Sequence, residues 1–183
     1  MLAWDIRPSR VAGNDSLDAA WLELAKPASR EAFKAEEIFL AAPTDAVKLF
    51  ADRIQPEAPL EAKRVERLLA GLDSDRFAER EAASKGLREL GRRTKPFLDE
   101  ALRTTKSTDA QDRARKLLAE LRGTAPSSNE LREIRAVYVL ELIGDDAPKK
   151  LLNVWAGGPA GSVLTEEATA ALKRLHEGAN GKR

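Results

Sequence analysis

A glycine that can close one helix and a proline that can open the next stand in the middle of LDSDRFAEREAASKGLRELGRRTKPFLDEAL, residues 72–102. The same punctuation returns further along the chain. Moved by 53 residues, Gly91 falls on Gly144, Leu90 on Ile143, Leu87 on Leu140, Leu98 on Leu151 and Leu102 on Trp155, while Pro96 and Pro148 differ by one place. A helical pair that is apolar on one side cannot bury that side alone. A unit repeating at about this period therefore reads as a stack of helical hairpins. The competing arrangement is two ordinary hairpins in a single bundle; the recurrence favours the stack.

Within the first copy, Ser74 or Asp75 is the expected N-cap, because a short oxygen-bearing side chain can accept from a free N–H of the first turn. Phe77, Ala78, Ala82, Ala83, Leu87 and Leu90 follow as one broad apolar stripe. Gly91 suits a helix end because it reaches positive φ without steric cost. Pro96 suits a first turn, where its missing N–H is not needed. The second helix is expected to bury Phe97 or Leu98, with Ala101 and Leu102.

The 183 residues suit one domain or one domain with an arm. Ala, Leu, Glu, Lys and Arg dominate, and β-branched and aromatic residues are scarce, as an all-α chain requires. A formal net charge of +1 provides no global field to attract nucleic acid or an anionic membrane. The chain has no cysteine, which excludes disulfides, thiolate metal sites and cysteine nucleophiles. No apolar run approaches spanning length and no secretion signal follows Met1, so a cytoplasmic location is expected.

Met1–Arg7 is the one segment that reads as a strand, since Leu2, Trp4 and Ile6 alternate with Ala3, Asp5 and Arg7. The expected organisation is an extended arm over 1–15, a helical domain over 16–176 and a disordered tail over 177–183. Helices are expected over Leu17–Ala25, Pro27–Ala42, from Pro43 to Ile54, and over Ala62–Leu72. A further helix is capped by Thr108 or Asp109. The next runs Glu130–Ile143, capped by Asn129; it is apolar nearly all round from Ala136, so it should lie buried between neighbours. Asp145 or Asp146 starts another, and Thr165 caps the last. QPEAP (55–59) and GTAPSSN (123–129) read as linkers, and GGPAGS (157–162) as a non-helical loop.

Four stretches carry a resemblance to a known family. They are LDSDRFAEREAASKGLRELG (72–91); Arg135-Ala136-Val137 through Ile143-Gly144 with Leu151-Leu152; GGPAGSVLTEEATAAL (157–172); and Trp21–Ala25 with Ala32-Phe33 through Pro43-Thr44-Asp45-Ala46-Val47. Together they span most of 17–175. The chain resembles the helical domain that follows the propeller in a group of bacterial WD-repeat proteins. The resemblance implies an all-α fold, an α-α superhelix of HEAT type, and a scaffolding role without catalytic residues. It also gives Met1–Arg7 a meaning, since Leu-x-Trp-Asp-Ile is similar to the strand that closes a WD-repeat blade. Glu36-Glu37, Glu79 and Gly86 depart from the family pattern.

The residues themselves supply little chemistry. His176, the single histidine, falls in the last turn of the last helix, where a cation complements the dipole. The carboxylate pairs Asp73/Asp75, Asp145-Asp146 and Glu166-Glu167 sit at helix starts and read as capping, whereas Glu36-Glu37 reads as a solvated or contact surface. The basic clusters Arg92, Arg93, Lys95, then Arg113, Arg115, Lys116, then Lys149-Lys150 are interleaved with acids and lack an aromatic platform. The reading is a non-catalytic protein-binding module without cofactor, metal or membrane association. Its expected partner is another protein, foremost the propeller of the same parent. Nucleic-acid binding through a basic concave face is the alternative. The second helices of the pairs nominate Lys95, Asp99, Arg103, Lys149, Lys150 and Asn153 as contact residues.

Overall fold

The computed structural model describes residues 14–27 and 29–180. The expected strand Met1–Arg7 lies outside the described residues, as does the tail beyond Asn180. In chain order the helices are α1 (Asn14–Glu23), α2 (Arg30–Ala41), α3 (Pro43–Arg53), α4 (Ala62–Gly71), α5 (Phe77–Leu90), α6 (Lys95–Thr104), α7 (Thr108–Gly123), α8 (Ser128–Ile143), α9 (Asp146–Ala156) and α10 (Val163–Asn180). A 3-10 turn, Gly91–Thr94, links α5 to α6. The described residues are all-helical and contain no strand. Asn14 and Asp15, expected in the arm, open α1, and α10 continues through residues 177–180. The chain divides into two compact units. One holds residues 14–55, 127–152 and 171–180 of the described chain, the other 56–126 and 153–170.

In the first unit α2 packs against α1, α3 and α8. Leu17, Ala20 and Leu24 from the α1 segment meet Ala32, Ala35 and Phe39 of α2 and Ala46 and Phe50 of α3 as buried residues. Phe39 and Phe50 lie with ring centroids 4.7 Å apart, and half-buried Trp21 stands 6.2 Å from Phe50. These offset, tilted rings are the preferred aromatic geometry. The Ser29 hydroxyl caps α2 by accepting from the Ala32 N–H at 3.2 Å. Pro43 opens α3 only one residue after α2 ends, as its position in a first turn allows.

Ser127, not Asn129, caps α8. Its hydroxyl accepts from the Glu130 N–H at 3.2 Å, and the Glu130 carboxylate accepts from the Ser127 N–H at 2.6 Å. Two free donors are satisfied reciprocally, which Asn129 could not achieve because no acid stands three residues after it. The helix is not buried all round either. Ala136, Val137, Val139 and Leu140 are buried, but Tyr138 and Leu142, four residues apart, face outward.

In the second unit α4 pairs with α5 and α6 with α7. Leu72, Ala83, Leu87, Leu98, Ala114, Leu117, Leu118 and Leu121 form its buried core, with Leu68, Leu69 and Leu102 packed against the edge. The α5 stripe is narrower than its apolar residues suggest: Ala83, Ser84 and Leu87 point inward, whereas Phe77, Ala78 and Ala82 are exposed. At 100° per residue, positions 78 and 82 fall on the far side from 83 and 87. Phe77, at the first residue of the helix, instead lies beneath the Arg80 guanidinium at 5.8 Å.

Neither Ser74 nor Asp75 occupies the N-cap position of α5; Arg76 does, without a side-chain cap. Ser74 stabilises the preceding turn, accepting from the Arg76 N–H at 3.1 Å and donating to Glu79 at 2.6 Å. That bond ties Glu79 to the turn that precedes α5. Ser107 caps α7 in place of Thr108 or Asp109, accepting from the Ala110 N–H at 3.3 Å. Ser162 directly precedes α10, while Thr165 lies within its first turn and is buried. Gly86 leaves room for α4: a Cβ there would stand 2.7 Å from Leu68 Cδ2.

The two copies of the motif agree in their first helices. Leu87 and Leu140 are both fully buried, and Gly91 and Gly144 both end a helix at φ +68°. The second helices differ. Four residues separate α5 from α6 but two separate α8 from α9. The fully buried leucine is Leu98 in one and Leu152, not Leu151, in the other.

Candidate functional site

The second unit carries a groove of about 570 Å³ where α4 and α6 meet only sparsely. Leu69 and Ala70 of α4, with Leu72 just beyond it, form one wall. Phe97 and Ala101 of α6 form the other, and Ala110 and Ala114 of α7 lie at the base. The groove follows from side-chain size. Four of these seven positions are alanine, and a methyl group cannot close the space between two helical hairpins whose common core includes Leu72, Leu87, Leu98 and Leu117.

The polar groups around this floor are largely engaged with one another. The Thr104 hydroxyl donates to the Glu100 carbonyl at 3.0 Å, and the Thr105 hydroxyl accepts from the Ser107 N–H at 3.3 Å. The Thr105 carbonyl accepts from the Gln111 amide at 2.9 Å and its N–H donates to the Ala101 carbonyl at 2.9 Å. The charges at the groove are all carboxylates: Glu66, Asp73 and Glu100, each exposed. Asp73 accepts from the Ser107 hydroxyl, and Glu100 pairs with Arg103 at the surface. The surface therefore offers apolar contact and negative charge. It has no converging set of donors for a small polar ligand.

Lys95, Asp99 and Arg103 recur every four residues and share one side of α6. The groove residues of that helix are Phe97, Glu100, Ala101 and Thr104, roughly half a turn away at 100° per residue. Asp99 and Lys95 are half-buried and Arg103 is exposed. Lys149, Lys150 and Asn153 lie on α9, where Lys149 is half-buried and the other two are exposed. Sequence reasoning missed Glu66, Leu69, Phe97 and Glu100. The available signal was the width of the apolar arc on α6. Phe97, Leu98, Ala101 and Leu102 cover more than one core-facing stripe; Leu98 goes to the core, and Phe97 with Ala101 is left for the groove.

The arginines of two basic clusters are engaged. Arg93 meets Glu57 at 3.0 Å and the Ala58 carbonyl at 3.2 Å, and Arg92 donates to the Thr124 carbonyl. Arg113 donates to the Asp109 carbonyl at 3.1 Å, and Arg115 bonds Asp112 at 2.6 Å and Gln111 at 3.1 Å. On the α5–α7 face Arg88 donates to Glu120 at 2.7 Å; that bond holds the Glu120 carboxyl below its usual range and raises the Arg88 guanidinium above its own.

Glu36 is not a solvated residue. Its side chain is 12% exposed and lies 3.5 Å from Arg135, whose side chain is equally covered. Burial pushes the Glu36 carboxyl up, and Arg135 offsets part of that. Glu37 is exposed. Asp73 and Asp75 border a polar recess of about 300 Å³ at the starts of α5 and α7. There Arg80 donates to the Ser74 and Asp75 carbonyls at 2.8 and 3.0 Å, so the recess is organised by turn and cap bonds. Among the described residues no group of three or more His, Cys, Asp or Glu is placed to hold a metal ion, and no helix is long and apolar enough to cross a membrane. His176 is exposed on α10. Comparison of the chain with protein-family models, with curated proteins and with solved structures returns no match.

Proposed function

We propose that this chain is a non-catalytic protein-binding module, a HEAT-like array of helical hairpins that presents a groove to a partner. The observation that carries the reading is the α4–α6–α7 groove. It is apolar at its base, each of its threonine hydroxyls makes one internal hydrogen bond, and no constellation of acids and bases converges on it. An apolar groove between helices is a common means of gripping a partner segment. The resemblance to the domain behind a WD-repeat propeller fits the same role. It makes the propeller of a parent protein the first partner to test, in a cytoplasmic setting.

Nucleic-acid binding has less support. A phosphate track needs several free cations on one surface, and Arg93, Arg113 and Arg115 each stand within ion-pair distance of a carboxylate.

The test is affinity capture from lysate with the full chain, alongside three variant sets. One carries Glu66→Ala and Phe97→Ala at the groove; a second carries Lys95→Ala, Asp99→Ala and Arg103→Ala; the third carries Lys149→Ala, Lys150→Ala and Asn153→Ala. A specific protein recovered by the parent chain supports the reading, and its loss in one variant set identifies the face. Recovery of nucleic acid that salt removes, without a protein, would replace it with the alternative. Recovery of nothing counts against both.

A further inference from the structure

The groove's charge limits what can enter it. Glu66, Asp73 and Glu100 stand at its margin, Glu100 paired with Arg103 on the outer side; no lysine or arginine lines the groove itself, whose walls are Leu69, Leu72 and Phe97 with two alanines and whose base is Ala110 and Ala114. An anionic ligand would be repelled, and a neutral polar one would find the threonine hydroxyls already bonded. An apolar ridge flanked by positive charge would satisfy both the base and the margin. The opening lies between two helices, so a third helix laid along it would continue the packing pattern, with its own side chains filling the space that Ala70, Ala101, Ala110 and Ala114 leave.

We infer that the groove binds a cationic amphipathic helix of a partner protein, apolar on one side with lysine or arginine at its edges. This rests on the protein-binding reading and adds the chemistry of the bound segment. The carboxylates set orientation and salt dependence, and Phe97 and Leu69 supply the apolar contact.

The experiment uses the full chain and two labelled peptides of about four helical turns, long enough to present a continuous stripe. Both carry leucines at helical spacing; one has lysine at the flanking positions and the other glutamate. Fluorescence anisotropy should show binding of the lysine peptide that weakens with salt, and no binding of the glutamate peptide. Glu66→Lys with Glu100→Lys, both at exposed sites, should weaken the lysine peptide by about tenfold or more while leaving the circular dichroism spectrum unchanged. Phe97→Ala should weaken it with little change in salt dependence. Equal binding of the two peptides, or equal binding by parent and double variant, would overturn the inference, as would no binding at all. If a captured partner is held equally well by the Glu66→Lys, Glu100→Lys chain, the protein-binding reading survives and the groove assignment fails.

Discussion

Arg135 reaches from α8 to the end of α1 and the middle of α2 at once. Its Nη1 donates to the carbonyls of Leu24 and Lys26, each at 2.6 Å, while its Nε faces Glu36 at 3.5 Å. The residues it joins are about a hundred positions apart in sequence. The two carbonyls follow the last turn of α1, so the guanidinium also complements the negative end of that helix.

Removing this guanidinium strands a covered carboxylate and two carbonyls. Arg135→Ala should therefore destabilise the fold by about 3 kcal/mol, and Arg135→Lys should recover only part of that because a lysine lacks the fork. Urea unfolding of the three proteins checks both expectations. A loss below that of an ordinary surface substitution would show that the contact contributes nothing.

Glu36 gives the same contact a pH signature. Burial raises its carboxyl in the folded protein above the usual value of 4.5, so in the range just above that value the folded state holds the proton more readily than the unfolded state. Stability contributed by this group then increases as pH falls through that range and is lost as pH rises. Glu120, held low by Arg88, acts in the opposite sense: its contribution is present above the usual carboxylate value and is lost on acidification. Comparing the parent with Glu36→Gln isolates the first effect. The stability difference should move in favour of the parent as pH is lowered from neutrality toward 5. A constant difference would remove the shift.

Ser127 and Asn129 separate a cap from a neighbour of the same chemistry. Ser127→Ala should cost about 1 kcal/mol through the loss of the reciprocal bond with Glu130. Asn129→Ala removes only an exposed bond to Arg132 and should stay within about 0.5 kcal/mol. Thermal unfolding of the two variants tests the assignment, and the reverse order would return the cap to Asn129.

Leu98 and Phe97 are adjacent and face different surroundings. Leu98 is fully buried, so Leu98→Ala should cost about 2–5 kcal/mol. Phe97 lines the groove and is half-buried, so Phe97→Ala should cost clearly less. Equal losses in chemical denaturation would mean that Phe97 belongs to the core and that the groove is narrower than described.

The α-helical class, the position of most helices and their breaks at Gly91, Gly144 and residues 157–162 follow from local chemistry that the sequence states outright. Positive-φ glycines, first-turn prolines and three-to-four-residue apolar spacing act within a few residues, whatever lies elsewhere. Caps were legible only as a choice among neighbouring oxygens. Ser127 and Ser107 prevailed because a particular N–H came within reach of each hydroxyl, which depends on the angle at which the chain enters the helix. The partner of Glu36 was not legible at all, since nothing local links it to Arg135. The groove belongs with these. An apolar arc wider than one stripe says that a helix has surface to spare, but only the tertiary structure decides whether a neighbour covers it. Here alanines keep α4 and α6 from closing on each other, and part of that arc is left facing outward between carboxylates.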